Sequence, residues 1–194
     1  MSETSYLRSP ELLSREASRL LIIDVQEKLV PKIVNLDRML ANCRLLIQGA
    51  KILSIPVFAT EQYPKGLGKL VPELAELLEK PCEKLRFSCA EVLDWGVAAQ
   101  AADDRFQIVL AGMEAHVCVL QTVLDLLATG FQVFVAADAV SSRSELDWQI
   151  ALERMSAGGA TIVTTESVLF EWCEISGSPE FKQISQLIKD RERK

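Results

Sequence analysis

Cys118 is a residue whose type and position in this sequence could support covalent chemistry. It follows the apolar run 108–110 within the stretch GMEAHVCVLQT, residues 112–122. A cysteine can be a nucleophile, but it is also a small hydrophobe that cores readily bury. On a helical wheel of residues 116–129, Cys118 shares a polar stripe with Thr122, opposite the valines and leucines. This position favours a nucleophilic Cys118 over a buried, inert one.

A nucleophilic Cys118 would need help to form a thiolate. Lowering a thiol pKa from ~8.5 to ~6 takes about 3.4 kcal/mol, and the first turn of a helix supplies about 1 kcal/mol. A cation is therefore expected. His116, the only histidine, projects to the apolar side of the wheel, which indicates a structural role rather than a catalytic one. Lys84 and Arg86, in the segment EKLRFS, are candidates, although a lysine taken alone is usually a solvated surface residue.

The elements that would position these residues alternate along the chain, which predicts a mostly parallel sheet with helices on both faces. A length of 194 residues suits a single domain, 1–194. Six strands are predicted at 20–25, 55–60, 83–88, 106–112, 131–138 and 160–165. Helices are predicted at 36–53, 90–102, 116–129 and 144–159, with a last helix from Pro179 to about residue 189.

The predicted α/β fold is Rossmann-like, with strand order 3-2-1-4-5-6. In such a sheet ligands bind beyond the carboxyl ends of the strands, where the strand order reverses. Strands one and four are neighbours at that point, so Asp24 should lie close to Cys118. The GxGxxG, GxxxxGK[ST] and GxSxG motifs are absent, which disfavours a dinucleotide site, a P-loop and a serine hydrolase.

Composition narrows the function classes further. The net charge of −6 and the pI of about 5.0 disfavour nucleic acid or an anionic membrane as a partner. Five scattered cysteines without CxxC spacing argue against a disulfide framework or a zinc site. No apolar stretch approaches the ~20 residues that span a bilayer, and residues 1–10 do not resemble a secretory signal. We therefore expect a cytoplasmic protein.

Four further residues are candidates for substrate binding. Gln26 and Glu61 lie near predicted strand ends, and Tyr63 and Phe87 could form an apolar wall of the pocket. For Gln26 and Glu61 simple exposure is the ordinary alternative, and for Phe87 it is core packing. The irregular segment 60–74 could be a loop shaped over the site or an ordinary surface crossover.

The candidate residues together resemble a known superfamily. Asp24 in LLIIDVQ, Lys84 in EKLRFS and Cys118 in GMEAHVC are similar, in that order, to the Asp-Lys-Cys triad of the isochorismatase-like cysteine hydrolases. The segments TEQYPKGLG and DAVSSRS resemble the subgroup of isochorismatase-domain hydrolases. The likeness covers residues from about 11 to 190.

The resemblance implies a three-layer α/β/α fold and specific roles. Cys118 would be the nucleophile, Asp24 the base that takes its proton, and Lys84 the cation that stabilises the thiolate and orients Asp24. The peptide bond between Met113 and Glu114 would be cis, and the backbone N–H groups of Glu114 and Cys118 would form an oxyanion hole. The resemblance also implies a homo-oligomer that needs no cofactor.

Two departures from the superfamily refine the function. Nicotinamidases bind a metal through histidines, but residues 1–115 contain none, so no metal site is expected. Isochorismatases cleave a vinyl ether with the aspartate and need no cysteine, whereas Cys118 favours acyl transfer. The sequence predicts a hydrolase of a small amide, carbamoyl or related C–N substrate acting through a thioester. A vinyl ether hydrolase that uses Asp24, and a non-catalytic or redox-sensing protein, are the alternatives.

Overall fold

The computed structural model describes residues 7–101 and 103–192. Its strands are β1 Ser18–Ile23, β2 Val57–Gln62, β3 Cys82–Lys84, β4 Gln107–Met113, β5 Gln132–Ser141 and β6 Thr161–Val163. Its α-helices are α1 Leu36–Ile52, α2 Pro64–Leu67, α3 Pro72–Ala75, α4 Ala90–Leu93, α5 Leu120–Ala128, α6 Glu145–Ala157, α7 Thr165–Cys173 and α8 Pro179–Glu192. Short 3-10 helices occupy Val30–Lys32 and Ala98–Gln100, and a π-helix occupies Ala115–Val119.

The six strands form one parallel sheet in the order β3-β2-β1-β4-β5-β6, which confirms the predicted fold. Helices cover both faces, as a parallel sheet requires. The order reverses between β1 and β4, where Ile23 pairs with Gly112. The last residues of both strands therefore lie side by side at the carboxyl edge.

Each face of the sheet has its own hydrophobic core, because successive side chains of a strand point in opposite directions. In β1, Leu20 and Ile22 belong to the core beneath α1, α7 and α8. Leu21 and Ile23 belong to the core beneath α5 and α6. The alternation stops at Asp24, whose φ of 51° turns the chain out of the strand.

The segment after β4 differs from the predicted regular helix over 116–129. It begins as a wide π-turn at Ala115–Val119 and becomes α-helical only at Leu120. A wheel at 100° per residue does not describe a π-turn, so the predicted polar stripe is wrong. Cys118 and Thr122 are buried, whereas Leu124 on the predicted apolar side is 37% exposed.

The predicted helix over 90–102 is also too long, although residue 102 lies outside the described residues. Helix α4 ends at Leu93, because Asp94 and Gly96 both have positive φ values. The turn brings the Trp95 ring against Phe58, with the ring centroids 5.1 Å apart. Packing of a large aromatic ring thus overrides helical propensity here.

Helix α7 was not predicted from the sequence. The Thr164 side chain caps it by accepting a hydrogen bond from the Ser167 N–H, and its buried face includes Val168 and Trp172. The Trp172 indole donates a hydrogen bond to the Ser18 hydroxyl, so this tryptophan is a core residue.

Among the described residues, no helix is both long and apolar enough to cross a membrane.

Gly112 allows β4 to approach β1 closely at the point where the strand order reverses. Its φ is 117°, and a Cβ atom there would overlap the backbone of Ile23. We expect Gly112→Ala to lower the free energy of unfolding by about 3 kcal/mol or more, because both strain and overlap must be relieved. Urea denaturation measures the loss.

Gly96→Ala is the matched control for this substitution. Gly96 also has a positive φ, 65°, but nothing lies within 4 Å of an added Cβ. This variant should lose only about 1 kcal/mol, the cost of the left-handed backbone. Equal losses in the two variants would contradict a role for close strand approach at Gly112.

Candidate functional site

A buried ion pair between Asp24 and Lys84 is the centre of the site. The Lys84 Nζ atom lies 2.6 Å from Asp24 Oδ2, and both side chains are at most 1% exposed. Asp24 directly follows β1 and Lys84 ends β3, so the register of β1, β2 and β3 brings the two charges together across the sheet. The structure thus places this predicted pair in contact.

Lys84 is fixed by neutral acceptors as well as by Asp24. Its ammonium group donates to Gln62 Oε1 at 2.7 Å and to the carbonyl oxygens of Phe87 at 2.9 Å and Arg86 at 3.3 Å. An ammonium has three protons, so these acceptors and Asp24 leave none of them unused. Lys84 therefore has one fixed orientation, which in turn fixes the Asp24 carboxylate.

Cys118 lies in the π-turn next to this ion pair. Its thiol lies close enough to the pair for the charges of both Asp24 and Lys84 to act on its pKa. The residue is only 6% exposed, and its neighbours belong to the core beneath α5 and α6. The structure therefore brings the three predicted catalytic side chains together at the carboxyl edge of the sheet.

The backbone ahead of Cys118 has an uncommon geometry. The peptide bond between Met113 and Glu114 is cis. The Glu114 carbonyl accepts hydrogen bonds from the N–H groups of Val117 and Val119, which flank Cys118. The Glu114 side chain is nearly buried and pairs with the Arg143 guanidinium, which holds this turn against the segment after β5.

Electrostatics make the resting Cys118 a thiol rather than a thiolate. Burial, and then the adjacent Asp24 charge, raise the pKa of Cys118, while Lys84 opposes them. This balance runs against the expected cation-stabilised thiolate, because burial and the Asp24 charge together outweigh the effect of Lys84.

The charges of the pair itself follow from the same balance. Burial raises the pKa of Asp24 above its ordinary value, against the opposing effect of Lys84. Burial acts to lower the pKa of Lys84, but the charge of Asp24 and the nearby thiols outweigh it and raise that pKa overall. Lys84 thus remains an ammonium while Asp24 becomes a more basic carboxylate than a solvated one.

Gln26 and Glu61 make their contacts within the protein. The Gln26 amide donates to the carbonyl oxygens of Gln62 and Gly68 and accepts from the Gln62 N–H. Glu61 is 2% exposed, accepts from the Leu70 N–H and pairs with Lys69. Both side chains therefore fasten the segment after β2 to the sheet.

Tyr63 and Phe87 lie outside the core, each 51% exposed. The alternative of core packing for Phe87 is therefore wrong. Tyr63 lines a cleft of about 560 Å³ whose wall also includes Leu85 and Lys84. Charged side chains from α2, β3 and α4 also line this cleft, so its wall is mixed in character.

Four site residues were missed by the sequence analysis: Thr60, Gln62, Cys89 and Thr122. Thr60 donates to Asp24 Oδ1 at 2.8 Å and lies 3.4 Å from the Cys89 thiol. Thr60 and Gln62 are polar residues two positions apart at the carboxyl end of a buried strand, and this pattern could have identified them from the sequence.

Within residues 7–101 and 103–192, no cluster of three or more His, Cys, Asp or Glu could hold a metal ion.

Comparison with known proteins decides the family. The sequence model described as "Isochorismatase domain" matches residues 18–167. The chain belongs to the isochorismatase-domain family. The match runs from the start of β1 into α7 and so includes the three strands and the π-turn that build the site.

Relatives cover nearly the whole of this isochorismatase-domain protein. It is 41% identical to isochorismatase domain-containing protein 2 of Danio rerio, over 91% of this chain and 89% of the relative. A Caenorhabditis elegans structure named MAR1 ribonuclease is 39% identical, covers 92% of each chain and has a TM-score of 0.84. The Escherichia coli YcaC gene product, described as an octameric hydrolase of unknown specificity, is 25% identical over 96% of each chain, with a TM-score of 0.82.

The charge balance at the site predicts the titration of Cys118. The rate of Cys118 alkylation by iodoacetamide should rise with a midpoint above ~8.5, the value of an ordinary thiol. Asp24→Asn should lower that midpoint, because it removes the negative charge that disfavours the thiolate. Peptide mass spectrometry assigns the label to Cys118.

Cys82→Ser is the matched control, because Cys82 is the one half-buried cysteine among five free cysteines. It should leave the Cys118 titration unchanged. A midpoint well below ~8.5 in the unsubstituted protein would instead show a preformed thiolate and contradict this account.

Proposed function

We propose that this isochorismatase-domain protein is a cysteine-dependent hydrolase of a small amide, carbamoyl or related C–N substrate. The single observation that supports the proposal most is the position of a thiol beside a buried carboxylate that is itself held by a lysine. Neither the carboxylate nor the ammonium is otherwise needed in an apolar core, where an ion pair gives little net stability.

In the first half of the proposed reaction, Cys118 Sγ attacks the substrate carbonyl carbon as its proton passes to Asp24. The raised pKa of Asp24 suits a base that must accept this proton near neutral pH. The carbonyl oxygen becomes an oxyanion, which the N–H groups of Glu114 and Cys118 would stabilise by about 3 kcal/mol per donor. The C–N bond then breaks, and the amine leaves with the proton from Asp24.

In the second half, water hydrolyses the Cys118 thioester. Asp24 takes a proton from the water as its oxygen attacks the thioester carbon. The C–S bond breaks, the acid leaves, and the thiol regains its proton from Asp24. Lys84 stays charged throughout and keeps the carboxylate oriented. No oxidant, reductant or cofactor enters either half.

The surroundings of the thiol favour a small and largely uncharged substrate. Only 6% of Cys118 is exposed, so a bulky group could not reach it without rearrangement. The cleft beside Lys84, which Tyr63 and Leu85 line together with charged side chains, could hold a substituent of mixed polarity. The net charge of −6 disfavours RNA as the substrate, despite the ribonuclease name of three related structures.

Two further properties belong to this proposal. The five free cysteines fit a reducing compartment such as the cytoplasm. A homo-oligomer fits the octameric state in the description of YcaC.

The test is a screen of small amides, carbamoyl compounds and esters, followed by kinetics on an active substrate. Cys118→Ala should lower kcat/KM by at least about 10³-fold, because the thioester can no longer form. Asp24→Asn should cause a similar loss. Intact-mass measurement should detect an acyl adduct in the unsubstituted protein and none in Cys118→Ala.

Cys43→Ala is the matched control, since Cys43 lies on the buried face of α1, in the core on the opposite side of the sheet from Cys118. It should keep full activity and the adduct. A vinyl ether substrate that Cys118→Ala still cleaves would replace this proposal with an aspartate mechanism. Cleavage of labelled RNA that Cys118→Ala retains would likewise overturn it.

A further inference from the structure

A second thiol, that of Cys89, is buried beside the catalytic ion pair and takes no part in the reaction above. Cys89 Sγ lies 3.4 Å from Thr60 Oγ1, and Thr60 Oγ1 lies 2.8 Å from Asp24 Oδ1. A threonine hydroxyl has one proton, and the carboxylate can only accept. Thr60 therefore donates to Asp24, so Cys89 must be the donor to Thr60.

Cys89 also connects to the backbone of the nucleophile. Its N–H group donates to Thr122 Oγ1 at 3.0 Å, and the Thr122 hydroxyl donates to the Cys118 carbonyl at 2.7 Å. Cys89, Thr60 and Thr122 are all fully buried. One residue thus links the base Asp24 to the helix that carries Cys118, by a path that does not include Lys84.

We propose that Thr60 and Cys89 are positioning residues, whose hydrogen-bond relay holds Asp24 ionised and correctly oriented to take the proton of Cys118. This inference rests on the proposed function for the use of that proton, but the relay itself is a property of the folded protein. Lys84 engages Oδ2 of the carboxylate, and the relay engages Oδ1. Both oxygens are then held, so the Asp24 carboxylate cannot rotate freely.

The groups that face Asp24 come from four segments. They are Lys84 at the end of β3, Cys118 in the π-turn, Thr60 in β2 and Cys89 just before α4. Lys84 is the only one that carries a charge in the resting protein. Burial, and then the neighbouring Asp24, raise the pKa of Cys89 to about 11, so it remains a neutral donor near pH 7.

A neutral relay suits this position for a physical reason. A second cation beside Asp24 would stabilise the carboxylate so strongly that it would be a poor base. A hydroxyl donor lowers the pKa of Asp24 by a smaller amount and adds direction. The relay therefore offsets part of the burial penalty while the carboxylate still accepts protons readily.

The test is a titration of Asp24 by NMR of ¹³C-labelled aspartate side chains, with Asp24→Asn used to assign the resonance. Thr60→Val keeps the shape but removes the hydroxyl, and it should raise the Asp24 midpoint by about one pH unit. Thr60→Ser restores a hydroxyl and should return the midpoint close to the original. Cys89→Ala should produce a smaller rise, and Cys89→Ser should reverse it.

The acid limb of kcat/KM on an active substrate should shift by the same amounts in the same variants. Unchanged Asp24 midpoints in both Thr60→Val and Cys89→Ala would overturn the relay, even with full hydrolytic activity. The predicted shifts without hydrolysis of any substrate would support the relay and count against the proposed function. If Thr60→Val does not fold, the comparison of Cys89→Ala with Cys89→Ser decides the outcome.

Discussion

The site depends on one constraint: a carboxylate and an ammonium that are both removed from water must stay together. Breaking a buried pair by removing one partner typically costs 3–5 kcal/mol, because the other charge is left uncompensated. Asp24 and Lys84 come from strands on either side of β2, so their contact requires the correct register of three strands. The ion pair can therefore form only when these three strands of the sheet are correctly paired.

In the proposed reaction, the cysteine is activated only as it attacks the substrate. Lys84 is held by Asp24, Gln62 and the Phe87 carbonyl, and its effect on the pKa of Cys118 is smaller than the combined effect of burial and Asp24. The thiol is instead placed beside a carboxylate whose basicity is increased by burial. In the proposed reaction, this arrangement would let proton transfer accompany the attack of Cys118 on a bound substrate.

The hydrogen bonds around the pair show how a fold with little polar surface in its core supports a polar site. Thr60, Cys89 and Thr122 satisfy one another and reach both Asp24 and the backbone of Cys118. Buried polar groups are costly unless they are hydrogen-bonded, and a fully connected network also fixes geometry. At the strand-order reversal, Gly112 lets β4 approach the backbone of Ile23 in β1 closely.

Hydrophobic periodicity is a local signal, so the alternating elements and the parallel sheet could be predicted from it. The strand order came from the Rossmann-like class, and the roles of Asp24, Lys84 and Cys118 came from the resemblance to the isochorismatase-like hydrolases. Tertiary structure alone decided the rest. The π-turn moved Cys118 from a predicted polar face into the core, and the packing of Trp95 ended α4 early. The protonation state of Cys118 and the contacts of Thr60 and Cys89 depend on burial and on neighbours that are distant in sequence. Electrostatic energies depend on distances in space, and the separation of two residues along the chain does not reveal how far apart they lie.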